Sequence, residues 1–329
     1  MIRSARSNYT QKQGFSLNMF TDDELQQVHL ATLEVLWREG LYVGDQEALK
    51  LFEDGGAVVN KSEGRVKIHP YMVEDAIRSA PSTIILAGRE PKQDCVLDGS
   101  RVNFTTFGAG VNLYDIDTNE YRPTTVTDVA DTARVADAID NVNIYSLAVS
   151  AGPSVPQASV DLHEAYAFLT STSKHCMHID LTSGKNAKRF IDMAAAIVGG
   201  HEKLRDRPLI SALYCPQSPL QLNHECCEII ITFARAGLPC NILSMAMSGG
   251  TAPITLAGTM VVHNCEVLGG IVLSQLAAKG APIMYGSSTT TFDLRNATAP
   301  VGSPELGMFS AAVAAMAQFY LLPSYVAGT

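Results

Sequence analysis

The stretch Ala281-Pro282-Ile283-Met284-Tyr285-Gly286-Ser287-Ser288-Thr289-Thr290-Thr291 decides the fold, together with Pro300-Val301-Gly302-Ser303-Pro304-Glu305-Leu306-Gly307, an Ala-rich segment, and Leu322-Pro323-Ser324-Tyr325-Val326-Ala327-Gly328-Thr329. Two short apolar runs, 283–285 and 324–327, bracket a helical segment, the strand, helix, strand rhythm of a parallel α/β unit. Each run ends in glycine and hydroxyl residues. In parallel α/β folds that end of the strand is where ligands collect.

The rhythm extends backward. Strand candidates fall at 102–106, 144–149, 175–179, 209–214, 240–245, 283–287 and 324–327. Helical patterns fill the gaps at 126–139, 160–170, 187–198, 220–236, 254–278 and 304–320. Each interval has room for one crossover helix; the first also holds a hairpin near Asp115-Ile116-Asp117-Thr118-Asn119. Seven strands, all but the last followed by a helix, predict an α/β protein built as an eight-stranded β/α (TIM-type) barrel that is incomplete, seven of eight strands being present. A doubly wound open sheet is the rival, but Phe107-Gly108-Ala109-Gly110-Val111-Asn112-Leu113 begins its glycine fingerprint and fails at the third glycine.

Upstream, Phe20-Thr21-Asp22-Asp23-Glu24 opens a helix with a capping box, ended by Gly40. A second helix spans 46–53, a small hairpin turns at Ser62-Glu63-Gly64 within 58–68, and a third helix runs from 70 to 80. Residues 1–95 are therefore expected to form an N-terminal cap of helices and short strands, and 96–329 the incomplete barrel. The missing part would be a final helix, strand and helix.

A chain of 329 residues, 47% hydrophobic and 17% charged, is long and apolar enough to bury a large core. Its net charge of -9, without basic clusters, argues against nucleic acid and anionic membranes as partners. Seven cysteines, an odd number set in apolar patterns, read as buried thiols in a reducing compartment. Residues 1–18 are polar and lack the apolar run of a signal peptide, so a cytoplasmic location is expected. No charge occurs from Leu306 to Thr329, yet Ala, Gly, Ser, Gln318 and Pro323 there fit a buried helix and strand rather than a membrane span.

Several groups invite chemistry. In His175-Cys176-Met177-His178 the two histidines point to opposite faces of a strand, so no shared metal is expected, although one of them is a candidate for the barrel mouth. His224 with Glu228, and His263 with Glu266, share helical faces but lack a third ligand, so capping or solvated roles are expected. Adjacent Cys226 and Cys227 suit packing. In Ser244-Met245-Ala246-Met247-Ser248-Gly249-Gly250-Thr251 a strand enters a Gly-Gly turn before a helix. Its backbone N–H groups either hold an anion or polar cofactor edge, or simply make a tight connection. Tyr285, Ser287 and Ser288 stand at a catalytic-face position, and Glu305 opens a helix at its rim, as a dipole partner or an active-site acid.

Residues 20–36, Asn241-Ile242-Leu243-Ser244-Met245-Ala246-Met247-Ser248-Gly249-Gly250, Leu256-Ala257-Gly258-Thr259, His263-Asn264-Cys265-Glu266-Val267-Leu268, 285–294, 298–307 and 322–329 resemble the trimethylamine methyltransferases of methylotrophic methanogens and their relatives. The resemblance implies a β/α-barrel enzyme that moves a methyl group from trimethylamine to the Co(I) of a partner corrinoid protein, feeding methanogenesis from methylamines. It binds no cofactor directly, since the partner supplies the corrinoid, and is expected to be a homo-oligomer when full length.

In methanogen members pyrrolysine, encoded by an in-frame amber codon, directly follows the segment that looks like Tyr325-Val326-Ala327-Gly328-Thr329. The resemblance therefore implies a chain truncated at that codon, holding most of the pocket but not the electrophile, and inactive alone. Tyr285, Ser287, Ser288 and Glu305, with His175 and His178, are then candidates for positioning or proton handling. Ser248, Gly249 and Gly250 are candidates for the corrinoid side. A betaine-type enzyme of the same family, acting on quaternary amines that have no lone pair, is one alternative. A non-catalytic binding or assembly fragment is another.

Overall fold

A computed structural model of the protein describes residues 19–327. The polar N-terminal stretch and the last two residues, Gly328 and Thr329, lie outside the described residues, and with them the expectations of no signal peptide and of an interrupted C-terminus. Six strands form one parallel sheet in chain order: β1 (Ile144–Ser146), β2 (His175–His178), β3 (Ile210–Tyr214), β4 (Cys240–Ser244), β5 (Ile283–Ser287) and β6 (Ser324–Val326). Side chains alternate between two surfaces. One set, including Tyr145, Cys176, Ile210, Ala212, Ile242 and Tyr285, joins the large core under the helices. The other, Ile144, Met177, Leu213, Leu243, Met284 and Tyr325, forms a second cluster.

That second cluster shows that the sheet curls. In a flat six-stranded sheet the outer strands would stand about 24 Å apart. Here Ile144 on the first strand and Tyr325 on the last belong to one packed cluster, and Phe107, in the segment bridged to β1, meets the Tyr325 ring at 6.1 Å between centroids. The chain is thus a partial β/α barrel whose inner face is lined by that cluster.

The expected strand at 102–106 is a correction. It makes only parallel bridges, Thr105 to Ile144 and Gly110 to Val149. Val102, Phe104 and Phe107 stay 77%, 64% and 46% exposed. A barrel strand is held by burial on both faces, which this segment lacks. Gly108 and Ala109, both at positive φ, then bend it out of an extended path. Six laddered strands and one bridged segment stand where seven strands were expected.

The helices follow their caps. They are α1 (Asp22–Arg38), α2 (Gln46–Asp54), α3 (Pro70–Ser79), α4 (Val126–Ala138), α5 (Val160–Leu169), α6 (Gly184–Val198), α7 (His201–Asp206), α8 (His224–Ala236), α9 (Leu256–Ala277) and α10 (Pro304–Tyr320). Thr21 and Glu24 make the capping box of α1. The Ser183 side chain sets the start of α6 three residues before the periodicity does, and Asn223 delays α8 to His224. Gln221–Leu222, just ahead, instead pairs in parallel with the N-terminal strand Leu41–Val43. The expected hairpins are present as Val58–Asn60 with Arg65–Lys67 and as Asn112–Tyr114 with Tyr121–Pro123.

Among the described residues α9 is the one helix long and apolar enough to cross a membrane, but it is buried between the sheet, α8 and the N-terminal helices. Two glycines let it sit there. A Cβ on Gly269 would lie 2.1 Å from Leu41 Cδ1, and one on Gly270 2.7 Å from Ile242 Cδ1, so the helix closes on both layers at once. All seven cysteines are free thiols, and six are buried.

Candidate active site at the open end of the barrel

Each candidate residue is placed by the phase of its strand. Tyr285 belongs to the helix-facing set and is fully buried, away from the mouth. Its hydroxyl donates to Asn264 Oδ1 at 2.7 Å, while Asn264 Nδ2 donates to the Tyr320 hydroxyl at 2.8 Å and to Thr32 Oγ1 at 2.9 Å. His29 continues the chain from Tyr320 (3.0 Å) to Glu74 (3.0 Å). Burial holds the Tyr285 and Tyr320 phenols well above their ordinary range. Tyr285 therefore ties β5 to α9 and α10 from behind, and is corrected as a mouth residue.

The two histidines diverge as their strand requires. His175 faces inward at the starting end of β2, with Nδ1 donating to Pro208 O at 3.0 Å and Ser211 Oγ donating to Nε2 at 2.8 Å. Burial lowers its pKa to about 4. His178 faces the helices between Phe168 and Phe190 and donates to Asp161 O at 2.9 Å. Neither stands at the mouth. Among the described residues no three His, Cys, Asp or Glu side chains cluster as metal ligands do.

Ser287 and Ser288 end β5. The Ser287 oxygen accepts the Thr289 N–H at 3.0 Å, whereas the Ser288 hydroxyl, continuing the inner face past Met284 and Gly286, has no partner among the described residues. Glu305, partly buried in the first turn of α10, makes no hydrogen bond or ion pair among the described residues. Ser248, Gly249 and Gly250 form a closed turn. Ser248 Oγ donates to Ile254 O at 2.8 Å, the Gly249 N–H to Ala252 O and the Gly250 N–H to Met247 O, both at 3.0 Å. Their amides are spent internally, so the geometry matches the tight connection rather than an open anion cradle.

His263 and Glu266 are neither caps nor solvated; both are fully buried. His263 donates to Gly286 O at 3.1 Å, and burial takes its pKa to about 4. Glu266 accepts from Ser244 Oγ (2.6 Å), Ser218 Oγ (2.8 Å) and Leu220 N (3.0 Å), and burial raises its pKa. His224, by contrast, is half exposed and pairs with Asp45 at 2.8 Å. Glu228 accepts the Gly184 N–H at 3.0 Å, and Cys226 and Cys227 are packed in the core.

Sequence reasoning passed over three inward-facing polar residues, Ser146, Asn241 and Tyr325, and the buried Glu164. The Glu164 carboxylate accepts from Ser150 Oγ at 2.8 Å and Ala151 N at 2.6 Å. Its second oxygen has no hydrogen bond among the described residues, standing 3.8 Å from His178 Nε2, and burial raises the carboxyl pKa. Strand alternation marks the three inner residues once the inner phase is known.

Fold and open end together define a β/α-barrel protein whose chemistry-bearing end lies at the carboxyl ends of parallel strands. A solved structure agrees: that of the Methanosarcina barkeri monomethylamine methyltransferase MtmB superposes with a TM-score of 0.52 at 12% identity, over 95% of this chain and 69% of that one. The trimethylamine methyltransferase (MTTB) family matches residues 3–329, and the chain belongs to that family. It is 54% identical to a trimethylamine methyltransferase MttB of Desulfitobacterium hafniense and 47% identical to one of Methanosarcina barkeri, over 96% and 99% of this chain. The chain spans 63% and 66% of those relatives' own lengths. It is also 30% identical, over 94% of its length, to a glycine betaine methyltransferase of Desulfitobacterium hafniense.

Proposed function

We propose that the protein transfers one methyl group from trimethylamine to the Co(I) of a corrinoid carried by a partner protein, in the cytoplasm. The observation that supports this reading is the gradient of identity, 45–54% to trimethylamine methyltransferases against 30% to a glycine betaine enzyme. In this reading the amine lone pair is engaged by an electrophile or a proton, so that nitrogen leaves as an amine. Co(I) supplies the pair for the new cobalt–carbon bond, the carbon–nitrogen pair stays on nitrogen, and the products are methyl-Co(III) and dimethylamine.

Within this chain the inner-face residues hold the amine at the strand ends, so that the methyl points out of the mouth in line with the approaching cobalt. Glu305, unpartnered in the first turn of α10, is the group placed to exchange a proton with the amine. Ser288 supplies a hydroxyl at the same rim. Ser287 and Tyr285 hold the end of β5 from behind. Ser248, Gly249 and Gly250 shape the rim beside it, and any corrinoid contact there uses side chains and carbonyls.

The test mixes the purified protein with a corrinoid protein reduced to Co(I) and trimethylamine. Conversion of the Co(I) spectrum to methyl-Co(III), with one dimethylamine per methyl, is expected. Transfer from glycine betaine and none from trimethylamine would establish the quaternary-amine reading, and transfer from neither would favour the non-catalytic one.

A further inference from the structure

Folded proteins seldom bury a polar group without a hydrogen bond, yet the inner face of this sheet does so four times. Ser146, Asn241, Ser288 and Tyr325 are each at most 9% exposed, and their hydroxyl or amide atoms have no partner among the described residues. Asn241 is the extreme case, since both Oδ1 and Nδ2 are unpaired. Its amide leans over Gly286, where a Cβ would lie only 2.1 Å from Oδ1. Gly286 is the register partner of Tyr325, so the bare backbone of β5 lets the amide of β4 reach the layer of the Tyr325 ring. The Tyr325 hydroxyl is aimed toward Ser146 and Thr105, although no hydrogen bond closes. Ser288 lies two residues beyond Gly286, at the mouth. Met177, Leu213, Leu243 and Met284 supply the apolar surface around them.

We infer that Asn241 Oδ1 receives the single N–H of a protonated tertiary amine, with Tyr325, Ser146 and Ser288 as the other unpaired oxygens of the same inner face, and so selects an amine bearing a hydrogen on nitrogen over a quaternary one. The inference deepens the trimethylamine reading and rests on it. Trimethylammonium brings three methyl groups and one donor, which match the apolar side chains of this face and its unpaired acceptor. Tetramethylammonium and betaine bring no donor. A buried acceptor left without one is how a hydrogen-bonding site rejects an analogue lacking the group. Tyr325 sits on the edge strand, with a ladder partner on one side only among the described residues, and is the member that shifts to admit the amine.

The test is calorimetric titration with trimethylammonium and with tetramethylammonium chloride of the wild type, Asn241→Leu and Tyr325→Phe, each checked for a native thermal transition. The wild type is expected to prefer trimethylammonium at least tenfold. Asn241→Leu should lose about tenfold in trimethylammonium affinity, about 1.4 kcal/mol, with tetramethylammonium unchanged, and Tyr325→Phe should lose less. A preference undiminished in the variants means that size alone discriminates, and the inference falls while the function stands. A wild type that binds neither amine overturns both. Should Asn241→Leu fail to fold, the near-isosteric Tyr325→Phe decides the comparison in the same way.

Discussion

A polar side chain in this protein does what its strand phase allows. Tyr285 faces the helices, so Tyr285→Phe strands the Asn264 carbonyl and should lower stability by about 1–2 kcal/mol without altering the preference between amines. A thermal melt beside a titration checks this; loss of binding at unchanged melting temperature would put the phenol at the mouth instead. Two of the buried histidines set an acid limit. His175 and His263 have folded-state pKa values near 4 against 6.5 in the unfolded chain. Between those values the unfolded state binds the extra protons. The stability they contribute is therefore complete above pH 6.5 and is lost as pH falls toward 4, on the order of 3 kcal/mol for each. Melting temperature should drop steeply from pH 6.5 to 4. In His263→Gln, whose amide can still donate to Gly286 O, the slope should be shallower; an unchanged slope would exclude His263 as a source.

Among the elements, α9 shows how close packing and helix propensity compete. Alanine at an exposed helical glycine gains roughly 1 kcal/mol. At Gly269 the added carbon meets Leu41, itself fully buried, at 2.1 Å. Overpacking of that kind costs about 1–3 kcal/mol, so Gly269→Ala should come out net destabilising in urea titration, and a raised midpoint would mean that Leu41 yields freely. Helices and hairpins were legible in the sequence because their signals are local: Thr21 with Glu24, Gly40 past the end of the first helix, and the turn residues 115–119. The inside of the barrel was not. Alternation says that His175 and His178 diverge, but a strand buried on both faces carries no polar side to mark which is inner. Tyr285 was therefore assigned to the mouth, while Asn241 and Tyr325 passed unremarked. Glu266 was expected to be capping or solvated because its three partners lie 22 to 48 residues away, beyond any local pattern.

For the molecule as a whole, the parallel sheet was legible from its repeating interval, and the first interval failed because apolar residues alone do not make a strand. Amide hydrogen exchange measures the difference. Amides of β2 to β5, laddered on both sides, should exchange orders of magnitude more slowly than those of 102–111, which are held by bridges at Thr105 and Gly110. Equal protection would show that the segment is a true barrel strand.

The Glu266 carboxylate has a wider reach than its size suggests. It grips the 218–220 loop and the tip of β4, and the residues just past that loop are stitched to the N-terminal strand Leu41–Val43. The strand Leu41–Val43 and the carboxyl end of β4 are thereby mechanically geared through one acid, so a lesion at Leu41 or Val43, remote in sequence from every candidate residue, should be felt as slack at the open end of the sheet.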